Sequence, residues 1–141
     1  MSGRYGMSFA AELMEKGKYE EAIVAATRAM EVEKANPEPF ADRAAAYDCL
    51  ERYAEAVGDL EKALTLNATA KVIDQDNLDD VFFSALLGAA KIDAETSVDA
   101  AVALLARYRL VLPTGRHVQD SEDWGRRLRG ELKSLLDKTR D

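Results

Sequence analysis

Residues Gly17–Ile23 read GKYEEAI, and Glu51–Val57 read ERYAEAV. Each stretch alone is an ordinary helix start, with a turn residue, an aromatic, and then glutamates and small residues that favour helix. Tyr19 and Tyr53 lie 34 residues apart, and the same offset links Ala10 to Ala44, Glu21 to Glu55, Ala22 to Ala56, Ile23 to Val57 and Ala29 to Ala63. Matched pairs in one register, an aromatic and several small residues among them, mark an internal repeat. An alanine- and glutamate-rich composition alone does not produce that register. A period of 34 residues is the length of a helical hairpin that buries its apolar face only by stacking on the next one.

The chemistry of the matched positions agrees with that architecture. Antiparallel helices approach to about 8–10 Å only where the contact residues suit that spacing. Ala10, Ala22, Ala29, Ala44, Ala56 and Ala63 offer small surfaces for it, and Tyr19 and Tyr53 follow each turn as wedges between hairpins. Composition points the same way. In 141 residues there are 8 glycines and 3 prolines, and 48% of the chain is hydrophobic, enough for a core without covalent staples.

Cys49 is the only cysteine, which excludes an internal disulfide and suits a reducing compartment. It reads as a small, at least partly buried hydrophobe. No apolar run reaches the ~20 residues of a membrane span, and the opening MSGRYGMSFAAELMEKG lacks the apolar region of a signal peptide. These features lead to the expectation of a soluble, cytoplasmic protein. The net charge of −7 is uneven: residues 1–106 hold 10 basic and 20 acidic side chains, and residues 107–141 hold 9 and 6. The acidic body argues against general nucleic-acid binding, which needs a basic surface.

The stretches GKYEEAIVAATRAME and ERYAEAVGDLEKALTLN resemble the second helices of tetratricopeptide repeat (TPR) hairpins, in turn, aromatic and small-residue pattern. The first helices, GMSFAAELMEK and PEPFADRAAAYDCL, depart further. Gly6 and Phe40 stand at the family's tryptophan position, Ala10 and Ala44 at its glycine, and Lys34 and Ala68 at its closing proline. The resemblance implies an all-α, right-handed superhelical stack of three hairpins plus a seventh, capping helix. On that pattern the chain is a single domain with repeat 1 over about 4–36, repeat 2 over about 37–70, a loop over 68–78, a divergent repeat 3 over about 79–113 and a cap over about 120–138.

The later elements have their own signals. In ATAKVIDQDNLDD, Asp74, Asp76 and Asn77 invite a calcium site, but the glycine and closing glutamate of such a loop are absent, so they read as helix-capping residues. VFFSALLGAAKI and TSVDAAVALLARYRLVLP form the third hairpin. Leu87-Gly88 stands at the family's first-helix pair, Ala101, Leu105 and Pro113 fall on its second helix and stop, and Thr96 with Asp99 makes a capping arrangement. From Asp120-Ser121 onward, Trp124, Leu128, Leu132, Leu135 and Leu136 make one apolar stripe, with Arg126, Arg127, Lys133 and Lys138 on the other side. This helix covers the end of the stack or docks a partner or a membrane surface, with Trp124 as its apolar anchor either way.

Catalytic patterns are missing. His117, the only histidine, lies in PTGRHVQD with no second histidine or cysteine beside it, so no zinc site is expected. GKYEEAI lacks the upstream glycine and the Ser/Thr of a phosphate loop, and MSGRYG lacks the nucleophile-elbow pattern. The expectation is no enzyme, no metal and no cofactor.

In TPR stacks the first helices line a concave groove. By resemblance, the groove positions are Arg4, Met7, Ser8, Ala11, Met14 and Glu15 in the first unit, and Glu38, Ala41, Asp42, Ala45, Asp48 and Cys49 in the second. In the third they are Phe82, Ala85, Leu86, Ala89, Ile92 and Asp93. Chaperone adaptors of the family clamp a C-terminal carboxylate with lysines, asparagines and an arginine. Here Asp42 stands where an asparagine is needed, and the third set holds no basic pair. Repulsion by Asp42 and Asp48 therefore predicts that acidic chaperone tails are not the ligand, and that a basic or basic-apolar peptide is. Met7, Met14 and Phe82 would give it adaptable apolar contact. The expected function is a non-catalytic protein-interaction adaptor or scaffold. The alternative is a structural subunit that self-associates through its terminal faces, and concentration-dependent mass in solution separates the two.

Overall fold

Two turns of the same construction set the hairpins. The computed structural model describes residues 8–139, without the side chains at 131, 132, 135 and 139. The first helix, α1 (Phe9–Glu15), ends at Gly17, whose φ is +76°. There the Gly17 amide donates to the Met14 carbonyl at 2.9 Å, and the Lys18 amide to the Leu13 carbonyl at 2.9 Å. The third helix, α3 (Glu38–Cys49), ends the same way at Glu51, φ +57°, with Glu51 N–H to Asp48 O at 2.9 Å and Arg52 N–H to Tyr47 O at 2.8 Å. Both are Schellman closures, which satisfy the last helical carbonyls through one left-handed residue. They stand 34 residues apart and launch α2 (Tyr19–Val32) and α4 (Tyr53–Ala70).

Then follow α5 (Gln75–Asp93), α6 (Val98–Val111) and α7 (Val118–Thr139), and no strand occurs among the described residues. The expected loop at 68–78 narrows to the four residues between α4 and α5. Asn67 closes it: its buried Oδ1 accepts from the amides of Val72 (3.0 Å) and Ile73 (2.9 Å), and its Nδ2 donates to Ile73 O at 2.8 Å. Asp74 caps α5 by accepting from the Asp76 amide at 2.9 Å. The cap of α6 is Ser97, whose Oγ accepts from Ala100 N at 3.1 Å, so the expected Thr96 cap moves one residue. The last helix begins two residues before Asp120.

The chain divides into two compact units, the first ending at Leu78 and the second beginning at Asp79. In the first unit α1, α2 and α3 enclose Ala10, Leu13, Ala22, Ala26 and Ala46, with Met14 and Ile23 packed against them. Ala22, Ala56 and Ala63 are wholly buried and Ala10 and Ala44 nearly so, whereas Ala29 is half-buried. In the second unit the core is aromatic. Tyr108 is fully buried, stacked near Phe82 at 6.1 Å between centroids and edge-on to Phe83 at 5.5 Å. No helix among the described residues is long and apolar enough to cross a membrane.

Candidate functional site

The first helices of the two repeats meet through one hydrogen bond. Ser8 caps α1, its Oγ accepting from Ala11 N at 3.1 Å, and the same hydroxyl donates to Asp42 Oδ2 of α3 at 2.7 Å. The pair is one repeat period apart, so equivalent positions of successive hairpins touch. Burial raises the Asp42 pKa above the ordinary carboxylate value; the Ser8 bond works against that rise, and nearby Glu38 adds to it. Beside the pair, α1, α2 and α3 enclose a cleft of about 590 Å³. Its apolar wall is mostly alanine (Ala10, Ala11, Ala25, Ala26, Ala29), whose small side chains leave the space open, with Phe9 and Pro39 beside them, and Glu33, Asn36, Glu38 and Asp42 supply polar groups.

The helices of this unit are tied by an ion pair the repeat does not announce. Arg43 grips Asp59 of α4 with Nε and Nη2, each at 2.7 Å, and reaches Thr27 of α2 with Nη1 at 3.1 Å. Asp59 is buried, and its hydrogen bonds raise the pKa of Arg43 further. A bidentate guanidinium–carboxylate pair fixes geometry as well as charge, so α2, α3 and α4 are tied at one point.

Of the expected groove residues, Ser8, Ala11, Glu38 and Asp42 converge on this cleft. Met14 is half-buried against the core, while Glu15, Ala45, Asp48 and Cys49 are exposed. Arg4 and Met7 lie outside the described residues. The third set is placed differently. Phe82, Ala85, Leu86 and Ala89 are buried, and Phe82 has no surface to offer a ligand. Asp93 is half-buried, and its carbonyl accepts from Ser97 N at 2.7 Å, closing the turn after α5. The exposed stripe of α5 contains Val81, Ser84 and Lys91, one register step earlier than expected, with Ile92 beside it.

The second unit holds a polar network in its core. Asp79 accepts from the Tyr108 hydroxyl and from the Arg116 amide (3.0 Å), and the Tyr108 oxygen accepts from His117 N at 2.9 Å. Burial first, and then the Asp79 bond, push the Tyr108 pKa up, so the phenol stays protonated as a donor. His117 stacks on Phe83 at 4.6 Å, with Nε2 2.7 Å from Asp80 Oδ1 and Nδ1 2.9 Å from Asp120 Oδ2. Gly115 passes so close that a Cβ there would strike the Tyr108 hydroxyl and come within 2.9 Å of Leu112 Cβ. No group of three or more His, Cys, Asp or Glu among the described residues is placed to hold a metal ion. The partners that Asp79 and Asp80 of α5 find in this network are 29 and 37 residues away. Neither spacing is the repeat's, so no periodic signal in the sequence joins them.

Neither a protein-family model nor a curated protein sequence matches the chain. Solved structures do. The second TPR domain of human RPAP3, in complex with the HSP70 peptide SGPTIEEVD, aligns with TM-score 0.55 and 22% identity over 83% of this chain and 88% of that one. The first TPR of Spaghetti (RPAP3), bound to the HSP90 peptide SRMEEVD, gives 0.52 and 22% over 88% and 89%. The N-terminal domain of stress-induced protein-1 from C. elegans gives 0.55 and 18% over 81% and 87%.

The first two overturn the exclusion of acidic chaperone tails, because domains of this shape hold peptides ending in EEVD. The repulsion was expected from two free carboxylates facing the ligand. Asp42 instead is half-buried and accepts from the Ser8 hydroxyl, and Asp48 is exposed to solvent, where its charge is screened. The third set was read as holding no basic pair, and its register passed over Lys91, which is exposed on α5. The expectation of a basic ligand rested on the same two aspartates and falls with that exclusion. What the geometry and the likeness establish together is architecture: the chain has the all-α helical-repeat fold of TPR domains.

Proposed function

We propose that the chain is a non-catalytic interaction module that holds a peptide segment against the first helices of its first two hairpins. The observation that carries this reading is the open cleft of about 590 Å³ where Ser8, Ala11, Glu38 and Asp42 converge. A wall of alanines with polar groups beside it suits a side chain together with its backbone, the contact pattern of an extended peptide. The peptide complexes of similarly folded domains support the same role.

The test is a peptide array that includes SGPTIEEVD and SRMEEVD, read against the protein and its Ala11→Trp variant. Ala11 is half-exposed at the cleft, so tryptophan fills the space without entering the core. The expected result is retained melting temperature and loss of binding in the variant. Failure of every peptide to bind the parent chain would sink the reading.

A further inference from the structure

Where α6 packs on α7, the seam between them opens into a cleft of about 220 Å³ lined by three arginines. Val102 and Arg109 come from α6, and Ser121, Gly125, Arg126 and Arg129 from α7. The space exists because α7 presents little bulk there. Gly125 is buried without a side chain, and a Cβ added to it would meet only Val102, at 3.8 Å. Ser121 is buried and short, and its hydroxyl accepts from Arg109 Nη1 at 2.8 Å while donating to the Val118 carbonyl at 2.7 Å. Ser121 thus holds the Arg109 guanidinium at the cleft. Among the described residues, Arg109 meets this hydroxyl and no carboxylate. Arg126 and Arg129, one turn apart on α7, each use one nitrogen on an exposed carboxylate: Arg126 Nη2 on Asp123, and Arg129 Nη1 on Asp99 at 3.0 Å. Exposed pairs of this kind are weak, and a guanidinium has five N–H donors, so most donors of both arginines remain to be offered. Glu122 also lines the cleft, which leaves three positive side chains against one negative among the described residues.

We propose that this cleft binds the phosphate monoester group of a small soluble molecule. The donor set selects that chemistry. A carboxylate has two oxygens, and a single guanidinium fork engages both. A phosphoryl group presents three terminal oxygens and close to two negative charges, so it can accept from all three arginines together. Arginines that share a cleft repel one another, and a dianion among them removes that repulsion. The volume selects a small ligand: it falls below the ~300–1,000 Å³ of clefts that enclose drug-sized molecules, and suits one charged group on a short stem. The site shares no residue with the first unit's cleft, and the inference does not rest on the peptide-binding reading.

The experiment titrates glycerol 3-phosphate into the full chain by calorimetry, in a phosphate-free buffer of fixed ionic strength. Acetate serves as the carboxylate control, and phosphatidic acid vesicles present the same phosphate monoester on a lipid. The expected result is saturable binding of one glycerol 3-phosphate per chain, at least about tenfold tighter than acetate. Binding should weaken about tenfold in Arg109→Gln and in Arg129→Gln, and stay unchanged in Ala11→Trp. Glutamine at 109 keeps an N–H for Ser121. Arg129 is exposed, so Arg129→Gln leaves the melting temperature in place and a loss there is loss of the site rather than of the fold. No binding to the parent chain, acetate binding as tightly, or parental affinity in both glutamine variants would each overturn the site. Attachment to phosphatidic acid vesicles without binding of glycerol 3-phosphate would overturn the soluble ligand and make a lipid the source of the group.

Discussion

His117 sits between two carboxylates that both need a donor. A neutral imidazole has one N–H, so with Asp80 at 2.7 Å and Asp120 at 2.9 Å one of them would face a lone pair. Burial opposes the charged ring, but the bonds from Asp120 and Asp80, with Asp79 adding to them, outweigh it and raise the pKa. The other groups facing the ring are Arg116, 3.4 Å from Asp80, and the Tyr108 phenol, whose ring meets the imidazole edge-on. A raised folded pKa means that the stabilisation is complete below the unfolded value near ~6.5 and is lost as pH rises through the folded one. Between pH 6 and 9 the chain should lose about 0.5–1 kcal/mol through this residue, a small amount because both carboxylates are half exposed and screened. Urea unfolding of the parent and His117→Gln at both pH values checks it; equal losses in the two proteins would show that the ring is not the titrating group. The sequence marked His117 only as a turn residue without a metal partner, since nothing local reveals a carboxylate 37 positions upstream.

At the scale of the element, the two Schellman turns differ in one residue. Gly17 takes φ +76° at no steric cost, whereas Glu51 takes +57° with a Cβ in the way. Glu51→Gly should therefore stabilise the protein by about 0.5–1 kcal/mol, the relief of strain being partly offset by the greater freedom of glycine in the unfolded chain. A lower melting temperature would mean that the Glu51 side chain contributes more than its backbone costs. Ala56, wholly buried at the close contact of the second repeat, tests packing in the opposite sense: Ala56→Leu should cost about 1–3 kcal/mol, read as a shift in the denaturant midpoint. These two hairpins were legible because their turns, tyrosines and alanines recur at one offset. The third was legible as helices but not in register. VFFSALLGAAKI is apolar or small almost all round, so its sequence does not say which side faces inward, and the exposed stripe falls on Val81, Ser84 and Lys91. The site residues drawn from that register inherited the error, whereas Ser8, Glu38 and Asp42, from the clear repeats, share one cleft.

At the scale of the whole molecule, two compact units each own a core, one of alanine and leucine and one of aromatics around Tyr108. Repeat proteins open in such units rather than all at once. Native-state hydrogen exchange should therefore give two opening free energies, one shared by the amides of α2, α3 and α4 and another by those of α6 and the start of α7. One common value throughout would mean that the units unfold only together. In the first unit α1 packs on α2, α2 on α3 and α3 on α4, with a smaller contact of α1 on α3, and in the second α6 packs on α7. Apart from the α1–α3 contact, those partners are the next helix along the chain, reached across a short turn. The search for native contacts is therefore local, and little loop-closure entropy has to be lost before packing begins to compensate for it. Such a topology has low contact order and belongs with the chains that fold in about microseconds to milliseconds. Most of the fold can thus assemble as soon as neighbouring helices emerge from the ribosome, without waiting for a distant strand or segment to arrive.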